Sequence, residues 1–493
     1  MHKNIELLNS FDVGSWIAEE EANDVQDYFL ETLYWKDLIE DNVDIIFGPK
    51  GSGKSALYSH LISNEALFFS KNVIIIKAEN IKGSPVFGEI KMDPPTSENE
   101  FNRLWKLYFL ILISQTLEDF KIKDENALYV QSMLQQSGLI SSNKSFKSYL
   151  KSAVEYIKKF RGIKSITPGV GLSELTGTPN KFEFKISFEE PDNSELERGI
   201  ISIDSLFGQV NTCLSTNGCK IWIAIDRLDV AFESSPDIEK RALKSLFRVY
   251  LDFLQFENLR LKIFLRDDIW KGIIEDGFRE YSHVTRKTTI EWDKSSLFIL
   301  IMKRILKNKG IKDEYYDSEG DIFHDLKKLE EIFARVFPKT STNGQKTFEW
   351  IISRTVDGKK LNYPRNLIQL IKTAKHRQLK AWHNGEFNPA DQKELFISKY
   401  LIAALETVSQ NQTEVLFSEY PQCKTLINKL RKTGTRLQID ELKSIWGAEK
   451  QSEAKILFEQ LERIGFFENL GTDDKPVANI PIIYRPYLKL QFT

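Results

Sequence analysis

Residues 43–56 read Val-Asp-Ile-Ile-Phe-Gly-Pro-Lys-Gly-Ser-Gly-Lys-Ser-Ala. A short apolar strand runs into Gly-x-x-x-x-Gly-Lys-Ser, and helix-forming residues follow from Ala56 to Leu61. Glycines at 48, 51 and 53 let the backbone turn sharply and aim its N–H groups inward, so phosphate oxygens can lie in the nest at the helix start. The loop comprises Gly48, Pro49, Lys50, Gly51, Ser52, Gly53, Lys54 and Ser55, with Ala56 opening the helix. In such a phosphate-binding loop (P-loop) the lysine, here Lys54, reaches the β- and γ-phosphates of a nucleotide, and Ser55 sets its hydroxyl on Mg²⁺. A nucleotide with Mg²⁺ is therefore the expected cofactor, taken as ATP; no guanine-specifying Asn-Lys-x-Asp follows a strand, and the sequence does not fix ATP over GTP.

The 493 residues are enough for roughly three domains with separate cores. A hydrophobic content of 41% describes a globular chain, and a formal net charge of −2 removes any global basic field that would draw in nucleic acid or an anionic membrane. Three cysteines (Cys213, Cys219, Cys423), without metal-ligand spacing, fit a reducing, cytoplasmic setting and no disulfide framework. The first residues lack the apolar run of a signal peptide, and the apolar stretch Leu104–Leu117 is too short to span a bilayer. No membrane partner is expected.

Further buried strands are expected at residues 72–77, 220–225, 261–265 and 287–292, alternating with helices from about Glu98 and over 237–256. Continuous apolar strands of this sort belong to a parallel sheet covered on both faces. The fold class is thus α/β, with five parallel strands and the P-loop strand central. Residues from about 120 to 200 interrupt the plan and read as an insertion. It holds a turn-rich run at Ile166–Gly171 and an alternating, half-exposed strand at Phe182–Phe188.

The strand Lys220–Ile225 ends in Asp226-Arg227-Leu228-Asp229, a Walker B pattern. Asp226 is placed to hold Mg²⁺, and Asp229 is the next carboxylate able to orient an attacking water. Arg227 directly follows Asp226, where a second carboxylate would serve hydrolysis best. The strand Leu261–Leu265 ends at Arg266-Asp267-Asp268, and ligands of doubly wound sheets sit at carboxyl strand ends. Arg266 is accordingly placed to feel the γ-phosphate, unless Asp267 or Asp268 pairs with it.

Beyond residue 293 the pattern is helical, and Tyr363-Pro364-Arg365-Asn366 opens a helix with proline in its first turn. A linker follows at 382–389. Helices at 437–446 and 449–464, then Gly465-Phe466-Phe467 and an apolar Ile480–Tyr484, outline a winged helix. The expected domains are an entry segment (1–42), a P-loop core (43–292), a helical lid (293–385) and a winged-helix-like domain (386–493).

Together the P-loop, Asp226-Arg227-Leu228-Asp229, Leu265-Arg266-Asp267-Asp268, Tyr363-Pro364-Arg365-Asn366 and the terminal module resemble the bacterial P-loop ATPase family allied to KAP, STAND and origin-initiator AAA-like ATPases. Ala18–Glu21 and Tyr28-Phe29 resemble that family's entry segment. The resemblance implies an ATPase whose lid carries Arg365 as a sensor-2 arginine. It also implies a nucleotide-driven switch, of the kind used in bacterial conflict and antiviral defence. One departure is Arg227, which opens the alternative of slow hydrolysis or a non-hydrolysing scaffold.

A second alternative is a nucleic-acid loader working through the winged helix. From Glu386 to Thr493 there are fourteen Lys and Arg against fifteen Asp and Glu, a poor electrostatic footprint for nucleic acid. Contact with a second copy or a partner protein, through the insertion or the winged helix, is the expectation that fits better. Lys424, Lys429, Arg431, Lys432 and Arg436 form the basic patch worth testing.

Overall fold

The computed structural model describes residues 3–16, 29–79, 86–92, 94–140, 145–164, 185–232, 235–316, 322–338, 344–388, 393–472 and 474–490. The chain divides into two compact units. One holds residues 31–50 and 54–290, the other residues 1–30, 51–53 and 291–493. Each has its own apolar core.

The first unit is built on seven strands: β1 (Ile45–Phe47), β2 (Val73–Lys77), β3 (Ile186–Ser187), β4 (Ile201–Ser202), β5 (Lys220–Ile225), β6 (Leu259–Leu265) and β7 (Lys287–Thr289). Five of them form one parallel sheet in the order β2-β5-β6-β1-β7. Its inner strands are largely apolar because both faces are covered, and every residue of β5 after Lys220 is buried. The expected strand count holds, but the P-loop strand is second from one edge and β6 is central. Lateral order is decided by crossovers between residues some two hundred positions apart, and local alternation carries no trace of it. The last strand is also shorter than expected, ending at Thr289, with the alternating exposure of an edge.

Helix α1 (Lys54–Ser63) leaves the P-loop directly. Helix α2 (Glu98–Asp119) starts at Ser97, whose hydroxyl accepts from the Glu100 N–H, and it packs against the helix that begins at Pro236. The short α3 (Leu228–Phe232) follows Asp226-Arg227, α4 (Pro236–Phe253) carries proline at its first turn, and α5 (Asp267–Glu275) follows β6. The Trp105 indole N–H of α2 donates to the Ala242 carbonyl of α4 at 2.8 Å, tying the two helices over the sheet. Within the expected insertion lie helices Glu125–Gln136 and Phe146–Lys164 and the small parallel pair β3–β4. The run Ile166–Gly171 and residues 182–184 lie outside the described residues, as do Ala18–Glu21 and Tyr28.

In the second unit, α6 (Pro364–His383) begins one residue before Arg365 and packs on α7 (Ser398–Glu419). A three-stranded antiparallel sheet follows, made of β8 (Arg436–Gln438), β9 (Glu468–Asn469) and β10 (Val477–Asn479) in the order β8-β10-β9. Between β8 and β9 come α8 (Ile439–Trp446) and α9 (Gln451–Arg463). Leu437 lies in β8 rather than in the helix, which starts after a capping box between Gln438 and Glu441. The apolar Ile480–Tyr484 is no strand. Pro481 cannot donate to a ladder, and a 3₁₀ turn at Ile482–Tyr484 buries Tyr484 against Phe466, ring centroids 5.0 Å apart. No helix among the described residues is long and apolar enough to cross a membrane.

Candidate phosphate-binding site

The functional candidates gather where the parallel strands end. After β1 the loop turns through Gly51 (φ +86°) and Gly53 (φ +102°), a left-handed backbone that side-chain-bearing residues adopt only under strain. Helix α1 starts at Lys54, so the unbonded N–H groups of its first turn face the loop, with Ser55 and Ala56 half-buried beside them. Lys54 Nζ folds back onto the loop and donates to the carbonyls of Gly48 (2.7 Å) and Pro49 (3.1 Å). Burial lowers its pKa, opposed by the negative charges of Asp229 and Asp226. Lys50, at the entry to the turn, is half-buried.

Asp226 caps β5 and is 4% exposed. Burial, with the nearby Asp229 charge, raises its pKa to about 6, while Lys54, the Arg227 N–H and a hydrogen bond from the Ser55 hydroxyl work the other way. The two residues expected to share a metal are therefore already in contact. Asp229 stands on α3, half-buried, with the Arg266 guanidinium 3.9 Å away. Arg266 itself is held in a two-pronged pair by Asp268, at 3.0 Å from Nε and 2.6 Å from the terminal nitrogen. Of its two expected functions, the pairing with Asp268 is the one the geometry displays. Arg227 takes a left-handed backbone (φ 61°) between β5 and α3, an outlier that clusters with functional sites.

One residue escaped the sequence reading. Glu79 follows β2 just as Asp226 follows β5, two strands that are direct neighbours in the sheet. It is 2% exposed, with no side-chain donor on either carboxyl oxygen, and a backbone hydrogen bond from Val86 only partly offsets its burial. Burial pushes its pKa up to about 8, the Arg227 charge opposing and the Asp226 charge adding to the rise. A signal was available: an acidic residue two positions past the buried run Val-Ile-Ile-Ile-Lys sits where ligands of parallel sheets are met.

The P-loop tip, residues 51–53, belongs to the second unit, and two residues of that unit meet it. The Trp292 indole N–H donates to the Ser52 carbonyl at 2.7 Å. A Cβ added at Gly51 would stand 3.2 Å from the Cβ of Arg365 and 3.4 Å from its Nε, so the glycine permits this close approach. Sequence reading had Trp292 only as the end of a core strand. Ser52 is fully buried and its hydroxyl has no hydrogen-bond partner.

The arrangement presents inward N–H groups, one movable ammonium and a hydroxyl–carboxylate pair. Among the described residues no group of three or more His, Cys, Asp or Glu side chains could hold a metal alone. Ser55 with Asp226 is a two-oxygen donor set, which suits a hard cation such as Mg²⁺ that takes its other ligands from water and phosphate. The chain matches no family model and no curated protein. Among solved structures, the Aeropyrum pernix ORC2 protein, in ADPNP-ADP complexes, is similar at 12% identity over 95% of this chain and 92% of that one. Its TM-score of 0.30 is too low to carry an argument.

Proposed function

We propose that the chain is a P-loop ATPase: it binds ATP with Mg²⁺ and hydrolyses it. The observation that carries this reading is the contact of the Ser55 hydroxyl with buried Asp226 beside a Lys54 ammonium parked on loop carbonyls. Each of these groups is held in place by the fold and lacks the partner its chemistry calls for. On binding, Lys54 would exchange the Gly48 and Pro49 carbonyls for β- and γ-phosphate oxygens, and the N–H groups of the loop and first turn of α1 would take the others. Ser55 and Asp226 would hold Mg²⁺, which supplies charge neutralisation on the phosphates.

Hydrolysis also needs a carboxylate to orient water, and Arg227 occupies the usual place. Asp229 was the expected substitute, but it faces Arg266, whereas Glu79 is buried with no side-chain hydrogen-bond partner. A carboxyl group whose pKa lies near the working pH is also the better proton acceptor. We therefore assign water orientation to Glu79, and to Asp229 the positioning of Arg266. Arg365 and Trp292 touch the loop tip within the second unit, and we propose Arg365 as the residue that senses the nucleotide in a switch. We read residues 386–493 as a winged helix, on the order β8, α8, α9, β9, β10.

Phosphate release measured on folded variants tests the assignment. Glu79→Gln should lower kcat by at least about 100-fold with Mg²⁺-ATP binding kept, and Asp229→Asn should lower it by about tenfold or less. Equal turnover in Glu79→Gln and the parent would return the role to Asp229. No turnover in the parent under any condition would leave a nucleotide-binding scaffold.

A further inference from the structure

The terminal module holds a second concave site, far in sequence from the P-loop. A cavity of about 990 Å³ opens between the segment Lys432–Arg436, just before β8, and the segment that carries Arg485 and Lys489. Among the described residues its charged lining consists of Lys432, Arg436, Arg485 and Lys489, with no carboxylate. Chance does not favour this in a module with fourteen basic and fifteen acidic residues. Among the described residues none of the four basic groups has an ion-pair partner.

The cavity walls are built rather than floppy. The Lys432 N–H donates to the Leu488 carbonyl at 3.1 Å and the Ile480 N–H to the Thr435 carbonyl at 2.9 Å, which ties the two segments together. Arg485 is 8% exposed, its Nε donating to the Ile480 carbonyl at 2.8 Å. Burial lowers its pKa, and the positive charges of Arg354 and Arg436 lower it further. Lys432 (φ 62°) and Lys489 (φ 57°) both hold left-handed backbones, an uncommon conformation for a residue with a side chain. Unrelieved repulsion plus strained lysines on both walls is a destabilised arrangement until an anion enters it.

The basic patch visible in the sequence splits in the structure. Lys429 donates to the Trp446 carbonyl at 2.8 Å, Arg431 stands over the Tyr487 ring at 4.4 Å, and Lys424 lies 5.8 Å from the centre of the Phe417 ring. Lys432 and Arg436 alone of that patch line the cavity, joined there by Arg485 and Lys489 from fifty residues downstream. Among the described residues no aromatic ring lines the cavity, so none of them offers a base a surface to stack on. The volume is at the upper end of the range of small-ligand pockets, about 300–1,000 Å³.

We propose that this cavity binds a small ligand carrying two or more phosphate groups, recognised through the phosphates, at a site separate from the P-loop. The test uses the full chain with Lys54→Ala, so that P-loop binding is silenced, and inorganic tripolyphosphate as the probe in calorimetry at low salt. One site per chain is expected, weakening steeply as salt rises. Adding Lys432→Glu and Lys489→Glu, both at exposed positions, should cut the affinity at least tenfold without changing the circular dichroism spectrum. Should the charge reversals perturb the fold, Lys432→Gln with Lys489→Gln gives the same comparison at lower electrostatic cost, with a smaller loss expected. The proposal fails if tripolyphosphate does not bind, or binds equally well to the folded charge variants. It also fails if a 20-base-pair DNA duplex binds in a Lys432- and Lys489-dependent way while tripolyphosphate does not, since the ligand would then be a nucleic-acid backbone. Because every arm carries Lys54→Ala, failure here leaves the P-loop reading untouched.

Discussion

At the amino-terminal side of the parallel sheet, Lys262 is fully buried in β6 and its three ammonium protons meet three acceptors: Asp41 at 2.6 Å, Asp44 at 2.8 Å and the Val43 carbonyl at 2.8 Å. Arg286 closes the group, donating to Asp44 at 2.6 Å and Asp41 at 3.0 Å, and the Lys262 ammonium lies 4.1 Å from the centre of the Trp222 ring. At the carboxyl ends of the same strands, Asp226 and Glu79 are buried nearly as deeply, yet both have pKa values raised by burial, and Glu79 has no side-chain hydrogen-bond partner. Burial is common to both ends and saturation is not. A buried ion network whose members satisfy one another has nothing left for a ligand. Buried carboxylates whose compensation falls short of their burial are stabilised further when a cation or ligand arrives.

The largest effect that separates the two ends is on stability. Lys262→Met leaves Asp44 buried with one cation fewer, and breaking such a network from one side costs about 3–5 kcal/mol. Urea denaturation followed by circular dichroism would show it. A loss under about 1 kcal/mol would mean that Arg286 alone satisfies Asp44 and that the two ends differ less than their geometry indicates.

A smaller effect of opposite sign is expected for Glu79. Its carboxyl is raised from an ordinary value of 4.5 to about 8 in the folded chain, so between these limits the folded state holds a proton the unfolded state has lost. Stability relative to an untitratable side chain is therefore full below pH 4.5 and falls as pH rises toward 8. Glu79→Gln should remove that decline and leave the variant more stable than the parent above pH 8, by about 2 kcal/mol or more. Parallel pH profiles for the two chains would show that the carboxyl is compensated, and the contrast between the sheet ends would then rest on Asp226 alone.

Much of the carboxyl end was legible in advance, because its signals are local. Glycine spacing marks the loop, and an apolar run ending in an acid marks Asp226. Glu79 carried a signal of the same kind after β2, but outside a named motif it was passed over. The amino-terminal network was harder to read. Lys262 interrupts an apolar run, which hints at a buried charge, but Asp41, Asp44 and Arg286 join it only through the pairing of β1 with β6 and β7, and that order was the part of the sheet read wrongly. Arg266 was legible as a residue at a strand end with two readings, and its side chain takes the second, turning to Asp268 two positions on. In the terminal module, the joining of Lys432 to Lys489 depends on chain reversal over fifty residues and leaves no local trace.

The central claim is that the carboxyl end of the sheet is incomplete without a nucleotide, and Mg²⁺-dependent ATP binding by calorimetry tests it most directly. The parent chain should bind one equivalent in a manner that requires Mg²⁺, and Lys54→Ala should weaken that Mg²⁺-dependent binding by about 100-fold or more while unfolding at the same urea concentration. A folded Lys54→Ala chain that binds Mg²⁺-ATP as tightly as the parent would contradict it.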